Sequence, residues 1–265
     1  GRLRAVKSPY EIGKLKQAGE VSRKVTAMIP ELLVPGISEW DLALRLFRET
    51  ALLGRSCVCR LAFNSGECFM GGVCFGDSAL HPSAFDGPDG MPGRSPACPM
   101  GGSDRKLKRG DLVFIDMLFP WDEYYVDKTR IFSLGQPDAS VLEAHEVCLR
   151  VQDAVRERLR PGEVPSRIYE DVMERIVTPR GFAPGFMGCG SNQVKFLGHC
   201  IGMVVNEQPV IARKSDEPLE ENMVVAVEPK KALADIGMVG IENTFQVTPA
   251  GGLNLTEDND GIVVV

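Results

Sequence analysis

The hydrophobic pattern changes period along the chain. Residues 111–118 form a short apolar run ending in a turn-like cluster, and residues 124–133 are rich in aromatic and β-branched side chains. Together they predict a β-hairpin. A second hairpin is predicted from Met223 to Val227 and Gly240 to Val247, with further strands at 56–65 and around His199. Helical stretches alternate with these. Ser8-Pro9-Tyr10-Glu11 combines a capping serine, a first-turn proline and a capping-box glutamate, so a helix should run from there to about Leu33 and break at Pro35-Gly36. Ser38 caps a second helix that takes its apolar bulk from Trp40, Leu42, Leu44, Leu46 and Phe47 and stops at Gly54. A third helix is predicted from near Asp138 to about Leu159, before Pro161-Gly162, and a fourth from Ser166 to Val177. Residues 66–103 are rich in Gly, Pro and Ser and read as one long loop, which inside a compact domain is often functional.

The order repeats. Long helix, Pro-Gly, short helix, loop and hairpin occur twice, about half a chain apart, so residues 1–265 are expected to form one duplicated α+β domain. Composition narrows the function without naming it. The chain has 265 residues, 44% hydrophobic and 25% charged, and a net charge of −6. That balance suits a chain with a sizeable core and speaks against a nucleic-acid surface. No apolar run approaches the roughly 20 residues of a membrane span. The eight cysteines include no C-x-x-C pair and read as free, mostly buried thiols of a cytoplasmic protein. Only three histidines, His81, His145 and His199, are available to any mechanism.

Chemistry enters through the hairpins. Asp116 and Asp127 are equidistant from Trp121–Asp122, which places them opposite each other on one face of the first hairpin. Two carboxylates so placed repel and need a cation or a shared proton. Glu228 and Glu242 are likewise equidistant from Asp235. Asp127-Lys-Thr129 is echoed by Glu242-Asn-Thr244, and a threonine two residues along a strand shares the carboxylate's face and can orient it. Four carboxylates with His199, in Gly-His-Cys-Ile-Gly, suit two divalent ions such as manganese, iron, cobalt or zinc.

These residues in this order resemble the pita-bread metallopeptidases: methionine aminopeptidase, aminopeptidase P and prolidase. The similarity spans nearly the whole chain. It rests on Asp116, Asp127-x-Thr-Arg, Gly-His199-x-Ile-Gly, Glu228-Pro and Gly-Ile-Glu242-x-Thr. The opening, Lys7-Ser-x-x-Glu11-Ile, resembles the junction after the N-terminal domain of the aminopeptidase P and prolidase branch, and leaves open whether the full protein has such a domain and whether it forms a homodimer. The resemblance implies a curved, mostly antiparallel sheet with helices outside. It implies two divalent ions bridged by Asp127 and Glu242, with Asp116 on one ion and His199 and Glu228 on the other. The nucleophile would be a water acidified between the ions, with Glu228 as proton shuttle.

The chain departs from that family at two places. Family peptidases carry a histidine in a Pro-His step before the first hairpin, where this chain has Pro99-Met100, and another seven residues after the ligand histidine, where it has Asn206. Asn206 can still donate a hydrogen bond, whereas Met100 supplies bulk. His81, Asp86 and Arg94 in the long loop are the candidates to compensate, with His81 as a catalytic residue, and His145 is read as structural. Three functions follow: a hydrolase of small Xaa-Pro peptides, an enzyme using the same centre on a small non-peptide substrate (creatinase- or lyase-like), and a non-catalytic binding module.

Overall fold

The computed structural model describes all residues except 1, 57, 62–65, 70, 84–86, 98, 191 and 192. In chain order the helices and strands are α1 (Arg2–Ala5), α2 (Pro9–Leu32), α3 (Glu39–Gly54), β1 (Cys59–Arg60), β2 (Glu67–Cys68), β3 (Gly71–Phe75), β4 (Leu112–Trp121), β5 (Tyr124–Ser133), α4 (Ala139–Glu157) and α5 (Pro165–Val172). There follow β6 (Phe196–Cys200), β7 (Glu207–Ala212), β8 (Val224–Val227), β9 (Lys230–Leu233), β10 (Gly237–Gly240), β11 (Asn243–Thr248), β12 (Gly251–Asn254) and β13 (Val263–Val264). Helix α2 starts with the expected capping box: Ser8 Oγ accepts from the Glu11 backbone N–H while the Glu11 carboxylate accepts from that of Ser8. Its buried apolar positions, Ile12, Leu15, Ala18, Val21, Val25 and Ile29, recur every three or four residues and form one apolar face. That face lies on β4 and β5.

The first half builds the antiparallel strands β5-β4-β3, and the C-terminal β13 adds to β5 in parallel to give a four-stranded sheet in the order β13-β5-β4-β3. The second half builds an antiparallel sheet, β12-β11-β8-β6-β7, with α4 and α5 against it. One apolar cluster centres on Leu15, Leu42, Val113 and Phe132 and another on Val151, Ile168, Leu197 and Val225, while a third joins Phe114 and Ile131 of the first half to Val141, Met238 and Val239 of the second. The architecture is therefore α+β, with two similar αβ units in sequence.

Three expectations need correction. The 66–103 segment is not one long loop: it contains β2, β3 and a short 3-10 helix at Gly76–Leu80. Strand β3, Gly-Gly-Val-Cys-Phe, gains its stability as the third member of a sheet, by pairing with β4 rather than from its own propensity. The predicted strand at 56–65 is reduced to β1, and residues 57 and 62–65 lie outside the described set. The first hairpin is also in a different register. Its two turn residues are Asp122 and Glu123, both with positive φ (48° and 65°), the primed turn whose twist suits a hairpin. The centre therefore falls after Asp122, and Asp116 pairs with Thr129 while Asp127 pairs with Leu118. The two aspartates remain on one face, as diagonal neighbours rather than opposite partners.

The second hairpin keeps the expected register. Val227 pairs with Asn243 in one ladder and Lys230 with Gly240 in the next, so Glu228 and Glu242 face each other in the gap between the ladders. Among the described residues no helix is long and apolar enough to cross a membrane.

Candidate metal centre

The hairpin β4–β5 supplies Asp116 and Asp127. Strand β6 supplies His199, and the gap between the β8–β11 and β9–β10 ladders supplies Glu228 and Glu242. All five line one cleft together with Met100, Asn206 and Asp89. The close approach of β6 to β8 depends on Gly198, where a Cβ would stand 2.3 Å from the Ala226 carbonyl oxygen.

His199 is oriented by its own strand. Its Nδ1 lies 3.1 Å from the Cys200 carbonyl oxygen, which can only accept, so Nδ1 carries the proton and Nε2 presents a lone pair. That lone pair faces the Glu228 Oε1 at 3.5 Å and the Asp127 Oδ2 at 3.9 Å. Three acceptors turned toward one another call for a cation between them. Asp127, His199 and Glu242 are all buried and offer ligand atoms within 4.8 Å of one another. Glu242 Oε1 is buried and has no hydrogen-bond partner among the described residues. This donor set fits a divalent ion of the imidazole-and-carboxylate kind.

A second group with the same spacing, Asp116, Glu228 and Glu242, does not stand open. The Lys230 ammonium lies inside it, 2.7 Å from Asp116 Oδ2, 2.7 Å from Glu228 Oε2 and 3.1 Å from Glu242 Oε2. Lys230 is fully buried. Burial alone would lower its pKa, but the charges of Asp116, Glu228, Glu242 and Asp89 outweigh that and hold it well above the ordinary lysine value. Asp127 and Glu242 are nevertheless pushed well above the ordinary carboxylate range, first by burial and then by the neighbouring acids. One ammonium therefore leaves the cluster short of positive charge.

The two threonines act across the halves rather than within them. Thr129 Oγ1 donates to Glu242 Oε2 at 2.9 Å, so a first-half threonine orients a second-half carboxylate. Thr244 Oγ1 instead bonds the backbone of Asp127, accepting from its N–H and donating to its C=O, each at 2.9 Å. The expectation that each would hold its own strand's carboxylate fails because the two hairpins face each other, and the neighbouring polar group lies on the opposite half.

The loop candidates for catalysis do not reach the centre. His81 is exposed, with Nδ1 against the Pro82 carbonyl, and it does not line the cleft. It ends the 3-10 turn and its side chain remains in solvent. Arg94 lies over the Trp40 ring and pairs with Asp104 at the surface. Asp86 lies outside the described residues. The loop instead contributes Asp89, which is buried, 3.9 Å from the Lys230 ammonium through Oδ1, and raised to about 7 by burial and the charge of Asp116. Sequence reasoning missed both Asp89 and Lys230. Lys230 had a signal: two residues beyond Glu228 on extended chain, it shares that residue's face. His145 is buried and structural, with Nε2 donating to the Asp260 carbonyl at 2.8 Å.

The chain is 29% identical, over all 265 residues, to the probable dipeptidase PepE of Mycobacterium tuberculosis, and spans 62% of that protein's length. It is 31% identical over 166 residues, or 62% of the chain, to an Xaa-Pro dipeptidase of Pyrococcus furiosus, and this match covers 45% of that protein. The X-Pro aminopeptidase structure from Thermotoga maritima superposes over 100% of the chain and 65% of its own, with a TM-score of 0.82 and 27% identity. The fold is thus the pita-bread fold. The model of metallopeptidase family M24 matches residues 13–249, and with the duplicated αβ units and the cleft between them, the chain belongs to that family.

Proposed function

We propose that this chain is the hydrolytic part of a metal-dependent peptidase acting on short peptides, with Xaa-Pro peptides the substrate class. One observation carries the reading: the His199 lone pair and two carboxylates converge on a single point in a cleft, with their outer atoms already committed elsewhere. Asp127, His199 and Glu242 would hold the ion, joined by Glu228 through Oε1. A divalent ion there would polarise the substrate carbonyl and acidify a water.

The chain's own residues have separable tasks. Lys230 fixes Glu228 by Oε2 and so turns Oε1 toward the ion and the water beside it, where the carboxylate can take that water's proton. Asp89, with a pKa near 7, is a carboxylic acid that can return a proton to the departing amine. Asn206 lines the cleft with positive φ (62°) and offers a neutral amide donor to the substrate carbonyl. Met100 is buried in the wall and contributes apolar surface. The wall also includes Leu61, Met91, Leu118 and Val205, an apolar surround suited to a proline ring.

The test uses protein loaded with manganese or cobalt and a panel of Xaa-Pro dipeptides and longer Xaa-Pro peptides. Turnover that disappears with chelator and in His199→Ala is expected. No turnover across the panel, with bound metal confirmed, counts against the reading. Turnover confined to small amides or amidines would move the substrate class away from peptides.

A further inference from the structure

We propose that the Lys230 ammonium permanently fills one of the two cation positions, so that this centre takes one divalent ion rather than two. The inference rests on the metal-site reading above and goes beyond it.

The ammonium has three N–H donors, and three carboxylates receive them: Asp116, Glu228 and Glu242. These are the same three residues that make up one of the two groups with ion-ligand spacing. A divalent ion and an ammonium cannot share that space, since the two would stand within contact distance in a site shielded from water.

The position is built for the side chain. Lys230 opens β9 directly opposite Gly240 in β10. A Cβ on Gly240 would lie 2.8 Å from the Lys230 Cα and 3.0 Å from its Cγ, so the bare glycine is what lets the lysine stem pass. The ammonium then lies 5.8 Å from the centre of the Phe114 ring. An aromatic ring, a missing side chain and three carboxylates, from three segments of chain, converge on one nitrogen. The remaining group, Asp127, His199 and Glu242, receives no bond from Lys230 except at Glu242 Oε2. Glu242 Oε1 is left without a partner among the described residues. One cation position is thus closed from within and the other is open.

Manganese titration of the intact chain tests this without relying on turnover. Wild-type protein should saturate at one equivalent by elemental analysis and give the six-line spectrum of an isolated Mn(II) in electron paramagnetic resonance. Lys230→Ala should rise to two equivalents, with the spectrum broadened by exchange between neighbouring ions. Wild-type protein that binds two equivalents, or a folded Lys230→Ala that still binds one, overturns the proposal. If Lys230→Ala does not fold, the wild-type count and spectrum decide alone. Binding of no ion would overturn the functional reading as well, whereas one bound ion without turnover would sink the functional reading only.

Discussion

Replacing Thr244 by valine removes a latch between the two halves while keeping the shape of the side chain. The Thr244 hydroxyl accepts from the Asp127 N–H and donates to the Asp127 C=O, and it is fully buried. Valine has nearly the same volume and equal tolerance for a strand, so the change isolates the two hydrogen bonds. Each buried backbone group left without a partner costs about 1–3 kcal/mol, giving roughly 2–6 kcal/mol for the pair. The added apolar group returns about 1 kcal/mol. The net loss should be about 3 kcal/mol. The assay is urea unfolding of metal-free protein, followed by tryptophan fluorescence, with Trp121 at the end of β4 as the local reporter, and by circular dichroism. The midpoint should fall while the slope with urea stays constant. Thr244→Ser keeps the hydroxyl and loses only a methyl, so it should cost about 1 kcal/mol. A loss below about 0.5 kcal/mol in Thr244→Val would refute the reasoning, because orphaned groups of this kind cost at least twice that. Equal losses in the serine and valine variants would show that packing, not the hydroxyl, holds the latch.

Other outcomes follow from the same geometry. Thr129→Val removes the 2.9 Å bond to the Glu242 carboxylate and should weaken ion binding about 10–100-fold by titration calorimetry, with Thr129→Ser near wild type. Gly198→Ala drives a Cβ into the Ala226 carbonyl, so β6 must leave β8; the variant should lose ion binding, measured by equilibrium dialysis, and melt at lower temperature. His145 is buried, chiefly desolvated, and its pKa is lowered from 6.5. Its contribution to stability is therefore present above about pH 6.5 and is lost as the pH falls from there toward the folded-state value, where the unfolded chain binds the extra proton. Asp89, Asp127 and Glu242, all raised, act with the opposite sign, so the readout is a difference: the stability gap between wild type and His145→Gln, measured between pH 5 and 8 (about the range in which histidine titrates), should shift in favour of wild type as the pH rises.

The parts of the fold that depend on local chemistry were legible in the sequence. Ser8 and Glu11 cap α2 as their spacing requires, and Glu228 and Glu242 face each other because the hairpin centred on Asp235 keeps simple pairing. The parts that depend on the other half of the molecule were not. The register of Asp116 and Asp127 turned on the positive φ of both Asp122 and Glu123, which neither residue type dictates. Strand β3 exists because β4 offers it an edge. His81 was favoured for its chemistry, but the loop carries Asp89 into the cleft and leaves His81 in solvent. Lys230 falls in the connection between the predicted strands, and burying an ammonium is costly unless carboxylates surround it; two of its three come from segments distant in sequence.

The tail of the chain gives the centre an order of release. Beyond β12, Asp258 pairs with both Lys128 and Arg130, Asp260 pairs with Arg130 at 2.8 Å, and β13 lies along β5. Arg130 in turn donates to the Glu242 carbonyl at 2.9 Å, so the tail, the first hairpin and a second-half ligand form one tie. A third apolar cluster, with Phe114 and Ile131 from the first half and Met238 and Val239 from the second, joins the halves beneath the ion site. The tail therefore adds a polar tie at the rim to the apolar contact that already joins the halves. Peeling the tail away, β13 included, frees Arg130 and with it the hold on the Glu242 backbone. Ion occupancy would then gauge tail attachment, falling before the rest of the fold has melted.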